Sequence, residues 1–128
     1  MITEQEITIY NKYKTNNETK WHRTTLIATL RNGSLTRYTG NTVQTDYSSL
    51  IRIYDTSDYV EEKDYNGTGW TCRSGDIVVN QKTNYEITTD APITELRQAY
   101  GDKNVYSIVG FDDYRKGTEL DHIKLGLI

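Results

Sequence analysis

A chain of 128 residues carries 18 acidic and 15 basic side chains, a net charge of −3, with mean hydropathy −0.74 and an isoelectric point near 5.3. That length makes one domain, 1–128, able to bury roughly two thirds of its unfolded surface without metal or disulfides, and the acidic balance excludes a dedicated nucleic-acid module, for which a pI above about 9 is usual. The single cysteine, Cys72, allows no intrachain disulfide; no run approaches the ~18 apolar residues of a membrane helix; and the polar, acidic first six residues read as no secretory leader.

Strand signals dominate the chain order. Residues 6–10, Glu-Ile-Thr-Ile-Tyr, alternate apolar with polar as a half-buried strand does. Residues 21–30 are rich in Thr, Leu and Ile and run into Asn32-Gly33, a dipeptide that tolerates positive φ and predicts a hairpin returning through 35–38. A polar loop is expected over 41–47, then a strand at 50–54, closed by turn formers at 55–58. Residues 59–69 start extended and end flexible, and Trp70 anchors the next strand. The turn Ser74-Gly75-Asp76 launches Ile77-Val78-Val79, and 77–80 with 85–88 read as a further hairpin.

One helix is predicted, over 94–100. Pro92 lies at its entry, Asp90 or Thr94 is placed to cap it, Leu96 and Tyr100 share a face at i, i+4, and Gly101 suits the residue beyond its end. Strands at 105–109 and 120–127 follow, separated by a turn at Lys116-Gly117, with Ile123, Leu125 and Leu127 pointing to one side. The fold class is therefore mainly β: a small β-barrel or sandwich of about eight strands with one short helix.

No chemistry-bearing motif stands out. His22 and His122 with Cys72 lack the ligand number and spacing of a zinc site. Asp112, Asp113, Asp121 and His122 read as solvated loop and strand-edge residues. There is no Gly-rich phosphate loop, nucleophile elbow or calcium loop. No catalytic, cofactor or metal residue is expected, and the protein is read as no enzyme. Cys72, beside Arg73 alone, reads as structural. Trp21 and Trp70 read as packing residues, with an exposed anchor for a sugar or a partner protein as the other possibility.

Charge is unevenly placed. From 12 to 37 stand Lys12, Lys14, Lys20, Arg23, Arg31 and Arg37 against Glu18; from 46 to 64 stand Asp46, Asp55, Asp58, Glu61, Glu62 and Asp64 against Arg52 and Lys63. Such runs are usually solvated faces. The sharper reading is a basic and an acidic patch that meet between neighbouring copies. Interaction residues are then expected on the two irregular segments and the basic run: Arg31, Arg37, Asp46, Tyr47, Tyr59, Glu61, Glu62 and Asp64.

Several segments taken together carry a resemblance. Lys20-Trp21-His22-Arg23-Thr24-Thr25-Leu26, the stretch from Gly40 through Val43 and Asp46 to Ile53, Trp70 followed by Gly75-Asp76-Ile77-Val78-Val79, Ile93-Thr94-Glu95-Leu96, and His122-Ile123-Lys124 stand in an order and spacing that resembles an uncharacterised family of small virion proteins from tailed phages and prophages of Gram-positive bacteria. Relatives often carry an aromatic after the histidine, where this chain has Ile123. The resemblance implies a head–tail connector or head-closure (stopper) protein of the phage neck, assembled in the host cytoplasm. Its partners would be copies of itself in a ring of twelve or six, a portal or adaptor protein, a tail terminator, and DNA passing through the channel without specific binding; no membrane is implied. A tail terminator or other minor virion protein, and a carbohydrate-binding β module suggested by Tyr, Trp and Asn, are the alternatives.

Overall fold

The computed structural model describes residues 3–39, 42–113 and 122–128, and of 3, 30–39, 42–48, 112 and 113 the backbone alone. Its elements are β1 (Thr3–Thr15), β2 (Glu18–Thr39), β3 (Thr42–Ile53), a 3-10 turn (Glu62–Asp64), β4 (Ile77–Val79), α1 (Pro92–Tyr100), β5 (Val105–Asp113) and β6 (Ile123–Leu127). The strands close a barrel in the order β1-β2-β3-β6-β5-β4, with every neighbouring pair antiparallel. The mainly β expectation and its barrel form hold, with six strands among the described residues where about eight were expected.

Alternation builds the wall. Ile7 and Ile9 of β1, Leu26 and Ala28 of β2, Ile51 and Ile53 of β3, Ile123, Leu125 and Leu127 of β6, and Val78 and Ile108 fill the interior, joined by Trp70 and Cys72. Period-two placement puts each of these on the inner face of its strand. The β1–β2 hairpin turns at Asn16-Asn17, with φ of 53° and 65°, and Thr15 pairs with Glu18 across a two-residue loop. Two successive residues at positive φ match the right-handed strand twist, and Asn accepts that geometry. This Asn-Asn turn was not among the sequence-based expectations.

Three expectations are corrected. Asn32-Gly33 does not turn the chain: β2 runs on to Thr39, and its register against β3 shifts between Asn32 and Leu35. The permissive pair is spent on a bulge. Residues 42–47, expected as loop, belong to β3, which returns along β2 from Thr42. Residues 85–88 form no hairpin with 77–80, because β1 and β5 already occupy both edges of β4. The turn expected at Lys116-Gly117 and the start of the last strand at Leu120 lie outside the described residues.

Residues 81–91 instead make a strap over the outer face of the barrel. Thr8 Oγ1 donates to the Gln81 carbonyl at 2.8 Å and accepts from Thr83 N–H at 3.0 Å. The Tyr10 hydroxyl meets Thr83 Oγ1 at 2.6 Å and donates to the Tyr85 carbonyl at 2.8 Å. Under the strap and α1 lies a second apolar cluster, Tyr10, Ile77, Val79, Leu96 and Val105, flanked by Trp21, Tyr85, Ile87, Ile93 and Tyr100. The strands β1 and β4 are thus buried on both faces. Helix α1 starts at Pro92 with Ala91 as its cap and no side-chain cap bond, so neither Asp90 nor Thr94 plays that part. Gly101 ends it at φ 101°.

Candidate functional site

The strand pairing leaves an arm. On one side of the barrel β1 reaches Leu30 of β2, and on the other β6 reaches Ser49 of β3. Arg31 and Asn32 still pair with Leu50 and Ser49, and beyond them residues 33–39 and 42–48 pair only with each other among the described residues. At ~3.3 Å per residue the ribbon projects about 23 Å from the barrel. Both its edges are bare of any described strand. A two-stranded ribbon alone is marginal in water.

The opposite end of the barrel is closed by residues 54–76. Trp70 is fully buried there, its ring edge-on to Tyr59 at 5.0 Å, and Tyr59 and Trp70 form an isolated parallel bridge. Asn11, fully buried in β1, is bonded at both amide atoms: Nδ2 donates to the Thr71 carbonyl at 2.8 Å and to Asp76 Oδ2 at 2.9 Å, while Oδ1 accepts from Thr71 N–H at 3.1 Å. Arg73 pairs with Asp76 at 3.3 Å and also donates to the Lys12 carbonyl. Burial pushes the Asp76 carboxyl up, against the opposing pull of Asn11 and Arg73. Burial, with the Asp76 charge next, pushes the Tyr65 hydroxyl up to about 12. These groups substitute for the ladder partner that β1 lacks past Tyr10, which is structural work.

β2 has a second bare stretch. β3 begins to pair with it only at Ala28, so residues 18–27 are bonded to β1 on one edge and to no described strand on the other. A hollow of about 600 Å³ lies along that edge, between His22, Arg23, Thr24 and Thr25 on one wall and Ser57, Asp58, Tyr59 and Val60 on the other. Ile27, further along β2, and Tyr54 are 50% and 46% exposed, with His122 tilted against Tyr54 at 5.4 Å. On the other side of β2, Trp21 separates two more hollows, one lined by Tyr10, Tyr13, Lys20 and Tyr85 and one by Lys12, Gly75, Thr88 and Pro92.

The expected interaction residues fall at both ends of the molecule. Arg37, Asp46 and Tyr47 lie in the arm and Arg31 at its base, opposite Leu50, and their side chains lie outside the described residues. Glu61, Glu62 and Asp64 are exposed on the opposite loop, where Lys63 sits 3.6 Å from Glu61. Tyr59 is half-buried against Trp70 and belongs to the plug. Among the described residues no group of three or more His, Cys, Asp or Glu gathers, and no helix is long and apolar enough to cross a membrane.

A family model covers nearly this whole arrangement, matching residues 2–126. The chain belongs to a family of unknown function, DUF6751. No curated protein and no solved structure matches it. For DUF6751 as seen in this chain, the features that sequence reasoning missed are the arm and the bare edge of β2. Their signal was present in the unbroken β-propensity of residues 34–39 and 42–47, Thr, Tyr, Val and Leu among them.

Proposed function

We propose that this protein is a structural subunit of a tailed-phage neck, a head–tail connector or head-closure ring component that joins the portal or its adaptor to the tail. The observation that carries the reading is the bare-edged arm projecting from a closed barrel. A barrel with a packed interior gives a rigid body, and an arm of about 23 Å reaches beyond that body to a neighbour. Sequence resemblance supports the same assignment. A ring of identical copies needs two different patches on each, and arm and acidic loop lie at opposite ends of the barrel. With a net charge of −3, the ring would hold no strong phosphate attraction that could stall passing DNA. Cryo-electron microscopy of intact particles tests this: barrels of this fold arranged in a ring between portal and tail are expected, and purified particles whose neck lacks the chain would refute it.

A second reading has its own observation. Trp21 lines a hollow walled by Tyr10, Tyr13 and Tyr85 with Lys20, Arg23 and Glu86, a mixture of ring faces and polar groups suited to a sugar. Glycan-array binding by the monomer, lost in Trp21→Ala, would support a carbohydrate-binding module instead.

A further inference from the structure

The bare arm and the bare stretch of β2 are two deficits of the same kind. We infer that each fills the other between copies: the arm of one molecule lies along residues 18–27 of β2 in the next, adding strands to that edge. The inference rests on the ring reading only in taking a second copy as the occupant.

Lengths agree. Residues 42–48 of the arm extend about 23 Å and residues 18–27 of the receiving edge about 33 Å at ~3.3 Å per residue. Within the described residues, nothing donates or accepts a backbone hydrogen bond along that receiving edge, and a hollow of about 600 Å³ keeps loop 57–60 apart from it. Unpaired strand edges recruit further strands.

Charge orders the layers. The receiving edge carries Lys20 and Arg23 against Glu18 at its far end, a net positive charge, with Asp58 across the hollow and Glu61, Glu62 and Asp64 further along the same loop. In the arm, the β3 strand between 42 and 48 carries Asp46 and no cation, and the β2 strand between 31 and 39 carries Arg31 and Arg37 and no anion. With the β3 strand of the arm against the receiving edge, the signs alternate from one layer to the next: cationic edge, Asp46, the two arginines, acidic loop. The reverse placement sets Arg31 and Arg37 beside Lys20 and Arg23. Exposed Ile27 and Tyr54, on the rows leading to the hollow, gain apolar cover. Arm and seat are different surfaces, so the contact is heterologous and propagates round a ring.

Disulfide mapping in the full-length protein tests the pairing. Thr25→Cys, on the receiving edge and exposed, is mixed at millimolar concentration with single-cysteine arm variants at 43 to 47 in turn; Cys72 is buried and stays out of the exchange. Directly opposed strand positions approach closely enough for a disulfide. Mixed dimers are expected for alternate arm positions, forming about ten-fold or more faster than links within either variant alone, and Thr45→Pro in the arm variant abolishes the gain while leaving the near-ultraviolet circular dichroism unchanged. Equal rates for mixed and self links, or preferred Thr25→Cys self-linking, overturn the inference. A chain found in the neck without such links leaves the connector reading standing and removes strand exchange; links formed by a chain absent from particles do the reverse.

Discussion

Glu95 is buried to 9% exposure on a nine-residue helix, yet no cation pairs with it among the described residues. Its carboxylate accepts instead from the Tyr85 hydroxyl at 2.8 Å, from N–H and Oγ1 of Thr88 at 3.0 and 2.8 Å, and from N–H and Oγ1 of Thr89 at 3.0 and 2.8 Å. Burial pulls its pKa up; the hydrogen bonds from Thr88, Thr89 and Tyr85 outweigh that and bring it down to about 2 from an ordinary 4.5. A lowered folded-state value means that the charged form stabilises the fold above the ordinary value, and that this contribution is lost as pH falls through about 2. Glu95→Gln should therefore melt earlier than the parent at neutral pH, with the gap closing near pH 2; parallel melting curves at both pH values would refute the clasp. Glycines give a second contrast. A Cβ at Gly69, φ 77°, would fall 2.3 Å from the Asp58 carbonyl oxygen, whereas one at Gly75, φ 95°, meets nothing within 4 Å. Gly75→Ala should cost only the backbone strain, roughly 1–3 kcal/mol, and Gly69→Ala beyond about 4 kcal/mol, read as urea-unfolding midpoints. None of this was legible beforehand. Glu95 and Gly69 act through partners that the fold alone brings near, such as the Asp58 carbonyl beneath Gly69.

Elements were legible where one local pattern decided them. The alternation at Ile7 and Ile9 and at Ile123, Leu125 and Leu127 gave strand and face together, and all five are fully buried. Pro92 and Gly101 bracketed the helix because each limits backbone geometry by itself. Residues 85–88 misled because their β-propensity was real but both edges of β4, the strand expected to receive them, were already taken. They are held by side-chain bonds, which makes the strap the weakest-tied part of the outer cluster. Tyr10→Phe removes the hydroxyl from both Thr83 and the Tyr85 carbonyl and should cost about 1–2 kcal/mol, with amides 83–88 exchanging first. Asn32-Gly33 misled for the opposite reason: positive-φ tolerance serves a bulge as well as a turn. The arm that results pairs with no third strand among the described residues. In free protein its amides at 34–39 and 42–47 should exchange orders of magnitude faster than those of Ile7 to Tyr10, and gain protection on assembly. Arm amides already as slow as those of β1 in the monomer would contradict the bare-ribbon description.

At the scale of the whole molecule, the barrel separates the two charged surfaces that the sequence showed only as runs. The arm and its base bear Arg31 and Arg37, and the far loop bears Glu61, Glu62 and Asp64, with the packed interior between them. On the ring reading proposed above, their complement comes from another copy. Exposed ion pairs contribute only about 0–1 kcal/mol each, so the charges set register while strand pairing and a neighbouring ring supply adhesion and effective concentration. The free protein is accordingly expected to be monomeric or weakly associated, closing into a ring on its partner. Reversing Arg31 and Arg37 to Glu should block ring completion with the thermal midpoint unchanged. Reversing Glu61 and Glu62 to Lys in the same chain should partly restore it, since opposite signs again face each other across the contact. Particle yield and ring counts by electron microscopy read both variants. Normal yield of tailed, infectious particles from the arginine reversal alone would show that register is set by the strand pairing without the charges.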